Sequence, residues 1–151
     1  MNNNFYKVTE RIKEVLNENP LVNTVIYARN EDADLLKNNL YPLAHINPLA
    51  SPWSTNAVNE FTFEIGVLNQ RTRDNRHNDT KFLGNDNLID NHNTCYSILN
   101  EFLTVLSVDN RDSITMISVS DLSPIYLSNL NGLDGFAVTI TLQLINKTEV
   151  C

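Results

Sequence analysis

The sequence predicts an α+β protein in which two main helices pack on one face of a largely antiparallel β-sheet, with one long polar arm. Three observations predict it. Two segments, 4–18 and 88–107, place apolar residues at helical spacing. Other segments alternate apolar and polar residues with the period of a half-buried strand, and they group between and after the helices instead of following them one for one. Residues 70–87, between the clearest early strand and the second helix, are too long and too polar for a simple turn. The 151 residues read as one domain without repeat or linker, and 42% apolar content suffices for a core without disulfides or metal.

In the first segment Phe5, Val8, Ile12, Val15 and Leu16 recur on one helical face, with Lys7, Glu10, Arg11, Lys13 and Glu14 between them. Asn19-Pro20 ends it, because proline disfavours helical geometry in the preceding residue and cannot continue the ladder. Residues 21–28 then read as a strand with both faces covered. Residues 30–39 are polar and form a short helix or turn. The following 41–48 segment contains Pro42 and Pro48, which delete ladder donors and predict an edge strand. After a turn-rich stretch around Trp53, Phe61, Phe63, Ile65 and Val67 alternate with Thr62, Glu64, Gly66 and Leu68, and the expected partner of this strand is 41–47.

Beyond the arm, Asp86 or Asn87 caps the second helix and Asp90 complements its dipole. Cys95, Ile98, Leu99, Phe102, Leu103 and Leu106 form its apolar stripe, and it is expected to be the longest helix. Residues 109–112 form a turn, 114–119 and 125–127 are strands, and Asn131-Gly132-Leu133-Asp134-Gly135 is the tightest loop signal. A long central strand is expected over 136–145, where Phe136, Val138, Ile140, Leu142 and Leu144 share one face.

The net charge of −7 and pI near 4.8 argue against a dedicated nucleic-acid binder, which needs a concentrated basic face. Cys95 and Cys151 form neither a disulfide framework nor a zinc set, and both are expected to be reduced and inert. No basic, apolar leader opens the chain and no segment approaches a membrane span, so a soluble product made in a cytoplasm is expected. The histidines His45, His77 and His92 are scattered; His45 reads as a satisfied structural histidine and His77 as solvated. His92 and Cys95, three apart on a helix, lack a third ligand. Gly84-Asn85-Asp86-Asn87 lacks the lysine and glycines of a phosphate loop and reads as a capping turn. Glu31, Asp32 and Asp34 lack the alternating ligands of a calcium loop and read as a solvated helix start. Trp53 is either a core anchor or an interface hot spot. No catalytic residue, metal ligand or cofactor is assigned, and the chain is read as non-enzymatic.

The arm carries Arg71, Arg73, Arg76 and Lys81, much of the basic charge, and then Phe82. It is read as reaching a neighbouring subunit. Arg71, Arg73, Arg76 and Lys81 would pair there with Glu31, Asp32 and Asp34. Together with Trp53 and Phe82 these are the candidate protein-interface residues.

Several segments carry a resemblance: Phe5-Tyr6-Lys7-Val8-Thr9-Glu10, Val22-Asn23-Thr24-Val25, Tyr41-Pro42-Leu43-Ala44-His45, Phe61-Thr62-Phe63-Glu64-Ile65, Phe82-Leu83-Gly84-Asn85-Asp86 and Gly135-Phe136-Ala137-Val138-Thr139-Ile140, with Cys151. With them the chain resembles the small neck and tail-completion proteins of tailed bacteriophages, most closely those of crAss-like phages. The resemblance implies a tail-terminator-like α+β protomer that forms a sixfold or twelvefold ring with itself and contacts other neck, portal or tail proteins. DNA would be passing cargo in the lumen, and the protein would reside in the virion at the head-tail junction or tail. The competing reading is a stand-alone α+β ligand-binding or small enzyme domain with a pocket around His45 and Trp53. A third, a nucleic-acid module using the arm, conflicts with the overall acidity.

Overall fold

The amphipathic periods and the alternation meet in one sheet covered on one face by two helices. The computed structural model describes residues 3–29, 32, 40–53, 57–72, 87–109, 111–128 and 132–145. Helix α1 spans Asn4–Glu18 and α2 spans Leu88–Val108; the strands are β1 (Thr24–Tyr27), β2 (Leu43–Pro48), β3 (Val58–Gln70), β4 (Ile114–Val119), β5 (Ser123–Ser128) and β6 (Leu133–Ile145). The sheet order is β1-β2-β3-β6-β4, with β5 also paired to β6. β1 and β2 are parallel, and every other pairing is antiparallel. β4 and β5 thus share one side of β6, at its C-terminal and N-terminal parts respectively.

The long axis of the sheet is the β3–β6 pair, in register over thirteen residue pairs from Val58↔Ile145 to Gln70↔Leu133. Side chains alternate between faces, so Phe63, Ile65, Val67, Val138, Ile140, Leu142 and Leu144 point to the helices together with Ala44 and Ile46. Against them lie Val8, Ile12, Val15 and Leu16 of α1 and Cys95, Ile98, Leu99, Phe102 and Leu106 of α2. The opposite face carries a smaller cluster of Ile26, Leu43, Leu68 and Leu133, packed with Tyr41 and Ile125. Further along that face the residues are polar, and Thr62 and Thr141 hydrogen-bond across the strands at 3.1 Å.

The helices fall where periodicity places them, and α2 is the longer at 21 residues. Several strand expectations are corrected. Segment 41–48 is not an edge: β2 lies between β1 and β3, because Pro42 precedes the strand and Pro48 is its last residue, leaving the ladder between them intact. The edge is β1, shorter than the expected 21–28, and its Tyr27 is exposed. β2 does pair with β3 as expected. Asp134 and Gly135 belong to β6 instead of a loop. Gly132, at φ 62°, takes the left-handed conformation just before it. Gly135 is required for a different reason: a Cβ there would lie 1.8 Å from the main-chain oxygen of Val67.

Replacing Gly135 with alanine therefore forces β3 and β6 apart. Gly135→Ala is expected to lose about 3 kcal/mol of stability, measured by urea unfolding. A midpoint equal to that of the parent protein would show that the strands absorb the methyl group without strain.

Candidate functional site

The polar arm begins and ends at one point of the body. The expected arm over 70–87 is shortened at both ends, since Gln70 closes β3 and Asn87 precedes α2. The Thr72 amide donates to Asn87 Oδ1 at 2.7 Å, and Asn87 Nδ2 donates to the Gln70 carbonyl at 3.2 Å. Asn91, buried one helical turn on, donates to the same Gln70 carbonyl at 3.1 Å, and its Oδ1 accepts from Asn69 at 3.0 Å. Asn87 thus holds the N-cap position without a side-chain cap bond, because its amide is engaged by the other end of the arm. Asn87, read in the sequence as one of two candidate caps, forms the clamp together with Asn69 and Asn91.

Beside this clamp Arg71 makes two bonds to Asp134, Nε to Oδ2 at 2.8 Å and Nη2 to Oδ1 at 2.9 Å. Asp134 is fully buried and the Arg71 side chain is 14% exposed. Such a fork-to-fork pair is geometrically demanding and commits the Nε–Nη2 side of the guanidinium within the chain. Arg71 is therefore a root residue within the chain, which removes it from the set expected to pair across an interface. Its Asp134 partner sits 63 residues away, where the loop signal concealed a strand. Arg73, Arg76, Lys81, Phe82, His77, Glu31 and Asp34 lie outside the described residues. Without Arg71, the cations Arg73, Arg76 and Lys81 are balanced in the sequence by Asp74, Asp79 and Asp86, so the segment is not basic overall. Asp32 bonds Arg29 at 3.0 Å.

Trp53 is not a core anchor. It is 89% exposed. The segment that presents it is held to β3, with the Leu49 amide donating to the Thr62 carbonyl at 2.9 Å and the Thr62 amide donating to Ser51 Oγ at 3.0 Å. A second exposed aromatic surface, unsuspected in the sequence, lies where α2 meets β5. His92 stands edge-on to Tyr126 and Phe136 at 4.9 and 5.2 Å, Tyr96 packs on Phe136, and His92 Nε2 reaches the Ile125 carbonyl at 3.0 Å.

The titrating groups displaced from their ordinary range are buried and lean toward their neutral forms. Burial, helped by the Asp134 charge, pushes the Cys95 thiol up to about 12, and its Sγ lies 3.9 Å from the Asp134 carbonyl oxygen. It has no nucleophilic character at neutral pH, and His92 turns away to β5. Burial lowers His45 to about 4. The expectation of a satisfied histidine is overturned: neither ring nitrogen has a hydrogen-bond partner. Its ring lies against Gly66, where a Cβ would come within 2.0 Å of Nε2, and the main-chain groups of β3 beside it are engaged in the ladder.

A cavity of about 310 Å³ lies between α1 and the Arg111–Ser113 turn, lined by Tyr6, Lys7, Glu10, Arg11, Glu14 and Asp112. Arg11 is already bound there to Glu14 at 3.2 Å and Asp109 at 2.9 Å. Neither His45 nor Trp53 lines it. Among the described residues no cluster of histidine, cysteine or carboxylate side chains is arranged to hold a metal ion, and no helix is long and apolar enough to cross a membrane. In comparisons with known proteins, no protein-family model and no curated sequence matches this chain.

Two outcomes follow. Arg71→Ala removes two charge-assisted bonds from the buried Asp134 carboxylate, an expected loss of about 3 kcal/mol, while adding Asp134→Ala recovers part of it in a double-mutant cycle read by urea unfolding. Additive losses would show the pair to be uncoupled. For His45 the folded value lies below the unfolded 6.5, so the unfolded chain binds the extra proton and stability falls as pH drops from 6.5 toward 4. Between pH 7 and 4.5 the parent should lose roughly 2–3 kcal/mol more than His45→Leu. Parallel stability profiles for the two would remove His45 as the cause.

Proposed function

We propose that this protein is a non-enzymatic assembly component: a ring-forming protomer of the head-tail connector or neck, or of the tail end, of a tailed bacteriophage. The observation that carries the reading is Trp53, 89% exposed on a segment pinned to the sheet. An aromatic side chain held out into water by a fixed support is the kind of group that anchors protein interfaces, where buried tryptophans supply much of the binding energy. The segmental resemblance to tail-completion proteins names the kind of assembly. In that assembly the partners are further copies of this chain in a sixfold or twelvefold ring and neighbouring portal or tail proteins, with DNA passing through the lumen.

The clamp at the base of segment 73–86 supports the same reading, because it gives the excursion a rigid root from which to meet a neighbour. Its candidate contacts are now Arg73, Arg76, Lys81 and Phe82. The acidic body, with Glu60 and Glu64 on the polar sheet face, suits a channel through which DNA slides without retention. The ligand-binding alternative draws on the cavity beside Arg11, whose cation is engaged by two carboxylates.

The test is the mass of the protein in solution, by native mass spectrometry or light scattering. Because the Thr72 amide lies 2.7 Å from Asn87 Oδ1, the test variant replaces residues 73–86 by a two- or three-residue Gly-Ser bridge across that contact, with circular dichroism to check its fold. A closed ring for the full chain and a folded monomer for the bridged variant are expected. A ring that survives bridging removes the arm from the assembly contact, and a full-length chain that stays monomeric at every concentration overturns the ring reading.

A further inference from the structure

The sheet ends in two strands whose outer edges pair with nothing among the described residues, β1 on one side and β4 on the other. Unpaired edges invite further strands, and proteins ordinarily guard them with lysine, proline or inward charge. Neither strand carries such a residue; β1 is limited by its length of four residues and β4 by the bulge between Met116 and Ser118. β1 reads Thr-Val-Ile-Tyr and β4 reads Ile-Thr-Met-Ile-Ser-Val. Their edges expose apolar side chains: Tyr27 at 56%, Ile117 at 46% and Val119 at 43%. β5, which shares the β4 side of the sheet, is guarded by Pro124.

The β1 edge also has a shaped floor. A cavity of about 290 Å³ runs between it and α1, with Val25, Tyr27 and Ile46 below and Thr9, Glu10 and Lys13 on the helix side. The Ala28 amide donates to the Ile46 carbonyl at 3.1 Å. By the alternation of a parallel ladder, Ile26 and Ala28 face β2 while Val25 and Tyr27 turn their main-chain groups outward.

Strand directions decide what fits. β4 runs antiparallel to β6, as do β6 to β3 and β3 to β2, whereas β1 runs with β2. β4 and β1 of one chain are therefore antiparallel. A second copy rotated about an axis lying along the strands keeps that direction and brings its β4 antiparallel onto the first copy's β1. The start of α1 is tied to the start of β3 by the Asn4–Asn59 bond at 2.7 Å, so α1 runs antiparallel to β1, and its Glu10–Lys13 pair, bonded at 3.5 Å, borders the receiving edge. Arg111, which precedes β4, is bonded to Asp109 at 2.8 Å, so the contact is carried by main-chain groups and by the apolar side chains of the two edges.

We infer that β4 of one protomer adds to the β1 edge of the next, seating Ile117 and Val119 over the groove between α1 and β1. The contact is heterologous, joining two different surfaces of the same chain, so it propagates and closes into a ring when the rotation permits. It rests on the ring reading above and names the protomer-to-protomer contact. The bulge between Met116 and Ser118 sets the local twist of the donated strand.

The test uses two full-length variants, Tyr27→Lys, which guards the receiving edge, and Ile117→Lys, which guards the donated one. Both positions are exposed, and circular dichroism melts check that each variant folds; Val119→Lys replaces Ile117→Lys if the latter does not. Each alone should be monomeric where the parent assembles, with association weakened at least about tenfold, as one added lysine at a desolvated edge implies. Mixed one to one, they should form a heterodimer and nothing larger, because the Tyr27 variant still donates β4 and the Ile117 variant still receives it. Two monomers that stay apart on mixing overturn the head-to-tail pairing. A ring that persists in both folded variants overturns this contact while sparing the ring reading. A parent chain that is monomeric throughout overturns both.

Discussion

Most of the structure depends on the pairing of β3 with β6 in one unbroken register. Thirteen residue pairs extend over roughly 40 Å at the usual rise per residue, and a slip of β6 by one residue against β3 would turn Val138, Ile140 and Leu142 from the helices to the other face. At one end of this axis Gln70 meets Leu133, which brings the arm root, Asp134 and the start of α2 together. At the other end Asn59 receives α1 through Asn4. The close approach at Gly135 acts as a register mark, since a side-chain-bearing residue brought to its place opposite Leu68 would collide with the Val67 carbonyl.

The buried Arg11 and the partly buried Arg71 serve different joints. Arg11, 4% exposed, crosses from α1 to Asp109 at the end of α2, and Asp109 also binds Arg111 at 2.8 Å. That carboxylate holds both helices to the turn where Asp112 and Ser113 adopt positive φ. Arg71 joins the end of β3 to the start of β6 at the opposite end. Buried ion pairs add little net stability compared with apolar packing, but removing one partner is costly, so their effect here is to make two chain reversals geometrically specific.

The helices were legible because their periodicity is local: Val8, Ile12, Val15 and Leu16, or Cys95, Ile98, Leu99 and Phe102, declare a face without reference to the rest of the chain. Strand ends were not. Asp134-Gly135 has the chemistry of a turn, and only the approach of Val67 and the partnership with Arg71 make it a strand. Pro42 and Pro48 argue for an edge by composition, yet lie where the ladder does not need their amides. For the candidate site the limit is similar. Arg71 looks like Arg73 and Arg76 in the sequence, and its distinction is a carboxylate 63 residues away. Trp53 between Pro52 and Ser54 suits core and surface alike until the fold decides. His45 shows the reverse error, a residue whose burial was legible and whose missing partners were not.

The contact between Thr72 and Asn87 has an evolutionary consequence. A segment whose two ends are held together can change length at little cost to the body, because the entropy of closing the gate grows only slowly with the length beyond it, by about 0.6 kcal/mol per doubling. Segment 73–86 can therefore lengthen, shorten or change its chemistry from one lineage to another while the sheet and helices keep their sequence constraints. The body would diverge at the pace set by its packing and this segment at the pace set by whatever it meets, so a comparison of distant versions of the chain should find drift and selection separated at Thr72 and Asn87.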